Sequence, residues 1–62
     1  MEICIGDVYK TNEDRAVKIL RISLAFVGFP FVAEDMKDGT PYRFNSDGID
    51  YFKFSHKIIE RI

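Results

Sequence analysis

Only a few side chains in this 62-residue sequence belong to types that commonly act as nucleophiles, bases or metal ligands. His56 follows Ser55 directly, but adjacent residues of a strand point to opposite faces, so the pair does not form a catalytic dyad. We predict that His56 is a surface or capping residue at a strand end. Cys4 has no second cysteine to pair with, and its neighbours Ile3 and Ile5 predict a buried, unreactive position in a first strand.

Carboxylates are more numerous, and some of them are close enough in sequence to suggest a metal site or a catalytic pair. The candidates are Asp35, Asp38, Asp47 and Asp50. Asp38 and Asp47 each precede a glycine, and Asp-Gly pairs are typical of tight turns, which explains these two without any chemistry. We therefore expect no catalysis, no metal and no organic cofactor, and we predict that the chain is not an enzyme.

Alternation of apolar and polar residues predicts the short strands that would position these side chains. The clearest element is a hairpin, in which a strand from Phe29 leads through Lys37–Thr40 to a strand with Tyr42 and Phe44. The Asp-Gly pair in Lys37–Thr40 favours positive φ angles, so we predict this to be the tightest hairpin of the chain. The other predicted strands are Glu2–Val8, Ala16–Leu24, Ile49–Phe54 and Ser55–Ile62.

The strand predicted over Ala16–Leu24 changes phase along its length. Val17 and Ile19 would share one face, whereas Ile22 and Leu24 share a face only after a shift of one residue. Such a shift predicts a β-bulge near residue 20, which is how small barrels bend a strand around a corner.

The number and spacing of these strands predict the fold class. Five or six short strands in a chain with room for one domain, residues 1–62, indicate an all-β fold, a small antiparallel SH3-like barrel. Pairing of the last strand with the first would close the barrel and remove both edges. The alternative is an α+β fold with a helix near residues 14–24 or 55–62, where Asp14 or Ser55 could act as the N-cap.

The order of the strand and turn motifs resembles that of small, mostly uncharacterised proteins of bacteriophages and prophages. The motifs that carry the resemblance are Phe29-Pro30-Phe31-Val32, Asp38-Gly39, Tyr42-Arg43-Phe44, Asp47-Gly48, and His56 before Ile58 and Ile59. The sequence departs from the pattern at Ile49, where a basic residue is expected. The resemblance covers about half of the chain and implies a phage or prophage origin and a barrel-like shape rather than a particular activity.

An uncharged run, Leu24–Phe31, is the strongest indication of function. A barrel of this size cannot bury both faces of such a run, so part of it should be exposed. Exposed apolar patches typically bind another protein or a second copy of the same chain. The alternative is that the run folds over the barrel as a lid on the core. The predicted partner-binding residues are Phe26, Val27 and Phe29, with Arg21 and Arg43 at the rim.

A second hypothesis is binding of single-stranded nucleic acid, which small barrels achieve with basic grooves and stacking aromatic rings. Its candidate residues are Arg43, Tyr51 and Lys53. A net charge of −1 disfavours it, because such affinity depends on basic residues that neutralise phosphates.

The expected location is the cytoplasm, and the host cytoplasm if the protein is encoded by a phage. The N-terminus lacks the basic and long apolar regions of a signal peptide, and no apolar stretch is long enough to span a bilayer. Taken together, the sequence predicts a small non-enzymatic protein-interaction module, a phage-derived accessory or inhibitor protein that binds a host or phage protein.

Overall fold

The protein folds as five antiparallel strands in one sheet, in a computed structural model that describes residues 2–62. The strands are β1 (Val8–Thr11), β2 (Ala16–Ile22), β3 (Phe31–Asp35), β4 (Pro41–Phe44) and β5 (Ile58–Arg61). Residues 2–62 contain no helix. The all-β prediction is therefore confirmed, and the helices considered near residues 14–24 and 55–62 are replaced by β2 and β5.

The order of the strands closes the sheet into a small barrel. The strands lie in the order β4-β3-β2-β1-β5, so the last strand pairs with the first, as the sequence predicts. Between β4 and β5, Asp50 forms a bridge with Phe44, and Ile49 forms a bridge with Lys57. Backbone pairing thus continues from β4 through residues 49–50 to β5, and the sheet is left without a long open edge.

The predicted bulge in the second strand is present. The register between β2 and β3 shifts between Ile19 and Arg21, which leaves Leu20 as the extra residue. Ile19 is fully buried before the shift, whereas Leu20 and Arg21 are exposed after it. The shift turns the end of β2 away from the core and leads the chain into the loop of residues 23–30.

Both Asp-Gly pairs form turns, with φ angles of 75° at Gly39 and 78° at Gly48. The prediction that Lys37–Thr40 is the tightest hairpin is wrong. Residues 36–40 separate β3 from β4, whereas only residues 12–15 separate β1 from β2. The shorter connection is closed by Thr11 and by Asp14, which adopts a φ of 61°. Aspartate tolerates this left-handed conformation better than most residues, so the turn forms without glycine.

The core is small and lies on the inner face of the curved sheet. The buried apolar residues are Ile3, Tyr9, Val17, Ile19, Ala33, Phe44 and Ile58, with Phe31 and Tyr42 packed against them.

Two predicted strands are wrong. Residues 2–7 are irregular, and of Ile49–Phe54 only residues 49 and 50 form bridges. The chain leaves the sheet after residue 50 because Asp50 accepts a hydrogen bond from the backbone N–H of Phe52 (2.8 Å), which forms a turn.

Candidate interaction surface

Two segments that are distant in sequence bring five aromatic rings together outside the core. Residues 23–30 supply two of the rings and residues 51–55 supply the other three. We call this group the outer aromatic cluster, and its members are Phe26, Phe29, Tyr51, Phe52 and Phe54. The shortest centroid distance is 4.6 Å, between Phe26 and Tyr51, and Phe29 stacks on Phe54 at 6.0 Å with an interplanar angle of 5°. These distances are typical of aromatic rings in direct contact.

Arg43 holds the first of these segments in place. Its Nε donates to the carbonyl of Phe29 (3.2 Å), and its Nη2 donates to the carbonyl of Ser23 (2.8 Å). The guanidinium also lies 4.4 Å from the centroid of the Phe26 ring, within the range of a cation–π contact. Arg43 therefore contacts the loop at three residues. Arg43, predicted to lie at the rim of the site, is half-buried, and its contacts make it a clamp on the loop.

Asp50 and His56 hold the second segment. His56 Nδ1–H donates to Asp50 Oδ2 at 2.9 Å, and both side chains are buried. The backbone adds two bonds, from Asp50 N–H to the His56 carbonyl (3.0 Å) and from His56 N–H to the Lys53 carbonyl (2.9 Å). The prediction that His56 lies at the surface is wrong, because its ring packs 5.2 Å from Tyr42 inside the fold.

The outer aromatic cluster is partly exposed. Phe26 and Phe29 are half-buried, whereas Phe52 and Phe54 are 60% and 68% exposed. Leu24 and Val27, in the same loop as Phe26, are 83% and 96% exposed. The rings contact one another, and the exposed members of the cluster offer an outward apolar surface.

The uncharged run predicted to form the site is therefore divided by the fold. Val27 points to solvent, while Phe26 and Phe29 pack on the aromatic rings of residues 51–55. The partly buried residues that pack against the core cluster are Phe31 and Tyr42, neither of which belongs to the loop of residues 23–30. The loop thus forms a surface with residues 51–55, whereas Phe31, the last residue of the run, packs against the core from β3.

The charged residues singled out in the sequence have different environments. Arg21 on β2 is exposed and pairs with Val32 on β3, and Val32 in turn pairs with Arg43 on β4. The side chains of these three residues therefore share the outer face of the sheet. Lys53 Nζ forms an ion pair with Glu13 Oε2 at 2.6 Å. The hydrogen bond from Lys53 lowers the pKa of Glu13.

Two members of the outer aromatic cluster, Phe52 and Phe54, are missing from the sequence-based site. Both residues belong to the strand predicted over Ile49–Phe54, and that stretch carried a signal for an exposed apolar surface. Four of the residues 49–54 are apolar or aromatic, more than a marginal strand of so small a barrel can bury. The Asp50–His56 pair had no such signal, because its residues follow no strand or helix period.

The carboxylates at the other end of β3 have structural roles. Arg15 Nε donates to Asp35 Oδ2 at 2.6 Å, and Arg15 Nη2 donates to Asp38 Oδ2 at 2.9 Å. Asp35 is buried and also accepts from the backbone N–H of Lys37. The hydrogen bond to Asp35 raises the pKa of Arg15. Among residues 2–62, no three His, Cys, Asp or Glu side chains lie close enough together to ligate one metal ion.

Cys4 does not occupy the buried strand position that the sequence predicts for it. It is half-buried in the irregular N-terminal segment rather than buried in a strand. Its backbone N–H donates to the Tyr9 hydroxyl at 2.8 Å, and its thiol lies 3.7 Å from a carboxylate oxygen of Glu2. Desolvation, followed by the negative charges of Glu2 and Asp7, raises the pKa of the Cys4 thiol. The environment disfavours the reactive thiolate.

Within residues 2–62 there is no helix of the length and apolarity that crossing a membrane requires. Comparison of the chain with protein-family models, with curated proteins and with solved structures found no match in any of the three.

Proposed function

We propose that the protein is a small, non-enzymatic interaction module that binds another protein through the outer aromatic cluster. The observation that carries the proposal is the exposure of Phe52 (60%) and Phe54 (68%), whose rings contact Phe26 and Phe29 of the loop of residues 23–30. Leu24 and Val27 of the same loop are exposed as well. Contiguous apolar surface of this kind typically marks an interface, and aromatic anchors often contribute most of the binding energy.

The anchoring of the cluster also supports this function. Arg43 binds the loop of residues 23–30 through two carbonyls, and Asp50 and His56 hold the segment of residues 51–55. A surface that is already ordered loses less conformational entropy when a partner binds. The clamp and the buried pair therefore favour binding by ordering the surface before the partner arrives.

The origin and the cellular setting of this module rest on the resemblance to phage and prophage proteins. On that basis we propose a phage-derived accessory or inhibitor protein that acts on a host or phage protein in the cytoplasm of the host cell. Compact proteins that act by occupying a surface need no catalytic group, in keeping with the structural roles found here for Asp50, His56 and Asp35.

Binding of single-stranded nucleic acid is the second candidate, because exposed rings can stack on bases. Two of its three proposed residues are engaged within the fold. Lys53 is paired with Glu13, and Arg43 donates to backbone carbonyls. The aliphatic side chains of Leu24 and Val27 offer no stacking surface. These contacts favour a protein partner over a nucleic acid.

Affinity capture with matched variants tests the proposal. Wild-type protein, the double variant Phe52→Ser/Phe54→Ser and the control Ile59→Ser are immobilised and exposed to an extract of the host cell. Ile59 is 47% exposed on β5, so its replacement removes a comparable apolar group elsewhere. We expect a protein retained by wild type and by Ile59→Ser, with at least about tenfold less retained by the double variant.

Two further measurements make the result decisive. Circular dichroism shows that all three proteins are folded, and binding of oligo(dT) of twenty nucleotides is followed by fluorescence anisotropy. Equal retention of the protein by all three variants contradicts the proposed surface. Binding of oligo(dT) that is lost in the double variant, with no protein retained, supports the nucleic-acid alternative instead.

A further inference from the structure

The two segments that build the outer aromatic cluster lie in parts of the chain that have no acidic residues. There is no Asp or Glu between Asp14 and Glu34, and none between Asp50 and Glu60. The loop of residues 23–30 and the segment of residues 51–55 lie within these two ranges. Apart from Asp50, which is buried, the residues next to the rings in sequence are therefore neutral or basic.

The fold places two of the basic charges on one face. Arg21, Val32 and Arg43 occupy opposite positions on three neighbouring strands. Adjacent strands are about 4.8 Å apart, so the two arginines lie roughly 10 Å from each other along the sheet. Arg43 contacts the ring of Phe26 from this face, at 4.4 Å. The part of this face that carries the two arginines is thus continuous with the outer aromatic cluster.

Neither arginine is neutralised within the part of the chain that the structure describes. Arg21 is exposed and forms no ion pair there. Arg43 donates to carbonyl groups, which carry no net charge, so its positive charge remains. Lys53 differs, because Glu13 compensates its charge. The surface therefore presents exposed rings beside two uncompensated positive charges.

We infer that the partner binds through an acidic segment, in which an apolar side chain contacts the rings of Phe52 and Phe54 and carboxylates lie against Arg21 and Arg43. This inference rests on the proposed function and adds the chemistry of the partner. Complementary charge at the rim of an interface increases specificity and the rate of association. A nucleic acid is also negative, but two arginines, one of which already donates to backbone carbonyls, neutralise too few phosphates for strong binding.

A peptide selection tests this inference. A library of random twelve-residue peptides is selected separately on wild-type protein and on Phe52→Ser/Phe54→Ser. We expect the peptides enriched on wild type alone to combine an aromatic or large aliphatic residue with several Asp or Glu residues. A selected acidic peptide should bind Arg21→Glu about fivefold more weakly than wild type, which is the effect of a small number of exposed charge contacts.

Lys37→Glu is the matched control, because it makes the same change of charge in the exposed turn at the other end of β3. We expect this control to weaken binding by less than about twofold, since salt screens charges beyond about 10 Å. Enriched peptides that are neutral or basic overturn the inference and leave the proposed function in place. A selection that yields no peptide specific to wild type, with oligo(dT) bound instead, overturns both.

Discussion

Nδ1 of His56 lies 2.9 Å from Oδ2 of Asp50, and both side chains are only 3% exposed. The other carboxylate oxygen of Asp50 accepts from the backbone N–H of Phe52. One buried carboxylate therefore pairs with Nδ1 of a histidine and also accepts a hydrogen bond in the turn that leads into the outer aromatic cluster. His56 Nε2 is buried and has no hydrogen-bond partner in the structure, so the pair with Asp50 is the polar contact of this ring.

Replacing this carboxylate should destabilise the fold strongly. We expect Asp50→Ala to reduce the free energy of unfolding by about 3 kcal/mol, because it leaves buried polar groups unpaired. Asp50→Asn, which keeps one acceptor oxygen, should cost less. Urea denaturation followed by circular dichroism measures both. Asp47→Ala, at an exposed turn position, is the control and should change stability by less than about 0.5 kcal/mol.

Two turn glycines should differ in their response to the same substitution. Gly39 and Gly48 both have positive φ, so alanine at either position costs about 1 kcal/mol of backbone strain. A Cβ at Gly39 would meet open space, whereas one at Gly48 would lie 3.0 Å from Cβ of Ile58. We expect Gly48→Ala to be the more destabilising by at least about 1 kcal/mol. Equal melting temperatures for the two variants would contradict this contact.

The contacts that Arg43 makes should limit local opening of the loop of residues 23–30. Arg43→Lys keeps the charge but loses the planar group that reaches two carbonyls. We expect faster amide hydrogen exchange at residues 24–29 and little change in β1, measured by nuclear magnetic resonance. Arg61→Lys, which alters an exposed ion pair with Asp7, is the control. Unchanged exchange in the loop would show that the clamp is dispensable.

The turn between β3 and β4 should lose stability in acid. Hydrogen bonds from Thr40, and then the charge of Arg15, hold the pKa of Asp38 below its usual value. A carboxyl whose pKa is lowered on folding stabilises the native state above its unfolded pKa of about 4, and this contribution is lost as the pH falls through the folded pKa. The difference in stability between wild type and Asp38→Asn should therefore be largest near neutral pH and shrink below about pH 4. A difference independent of pH would contradict the charge contribution.

The thiol of Cys4 should react slowly for a partly accessible cysteine. Desolvation and the carboxylates of Glu2 and Asp7 raise its pKa, so less thiolate is present at neutral pH. We expect slower alkylation by iodoacetamide in the folded protein than in urea, followed by mass spectrometry. Glu2→Gln should increase the rate in the folded protein. A folded rate equal to the unfolded rate would contradict the raised pKa.

The sequence by itself determined the features that depend on neighbouring residues. Gly39 and Gly48 take positive φ because they lack a Cβ, and Leu20 forms a bulge because the apolar pattern changes phase there. The pairing of β5 with β1 was also predictable, since a short all-β chain removes its edges by closing.

Tertiary structure alone decided the outer aromatic cluster and the buried Asp50–His56 pair. Phe26 and Tyr51 are far apart in sequence, and their rings meet only because Arg43 and the turn at Asp50 bring their segments to the same face. Burial of His56 depends on what packs around it after the barrel closes, not on its neighbours in the chain. Local conformation follows from the identity of the residue, whereas contact and burial follow from the closed fold.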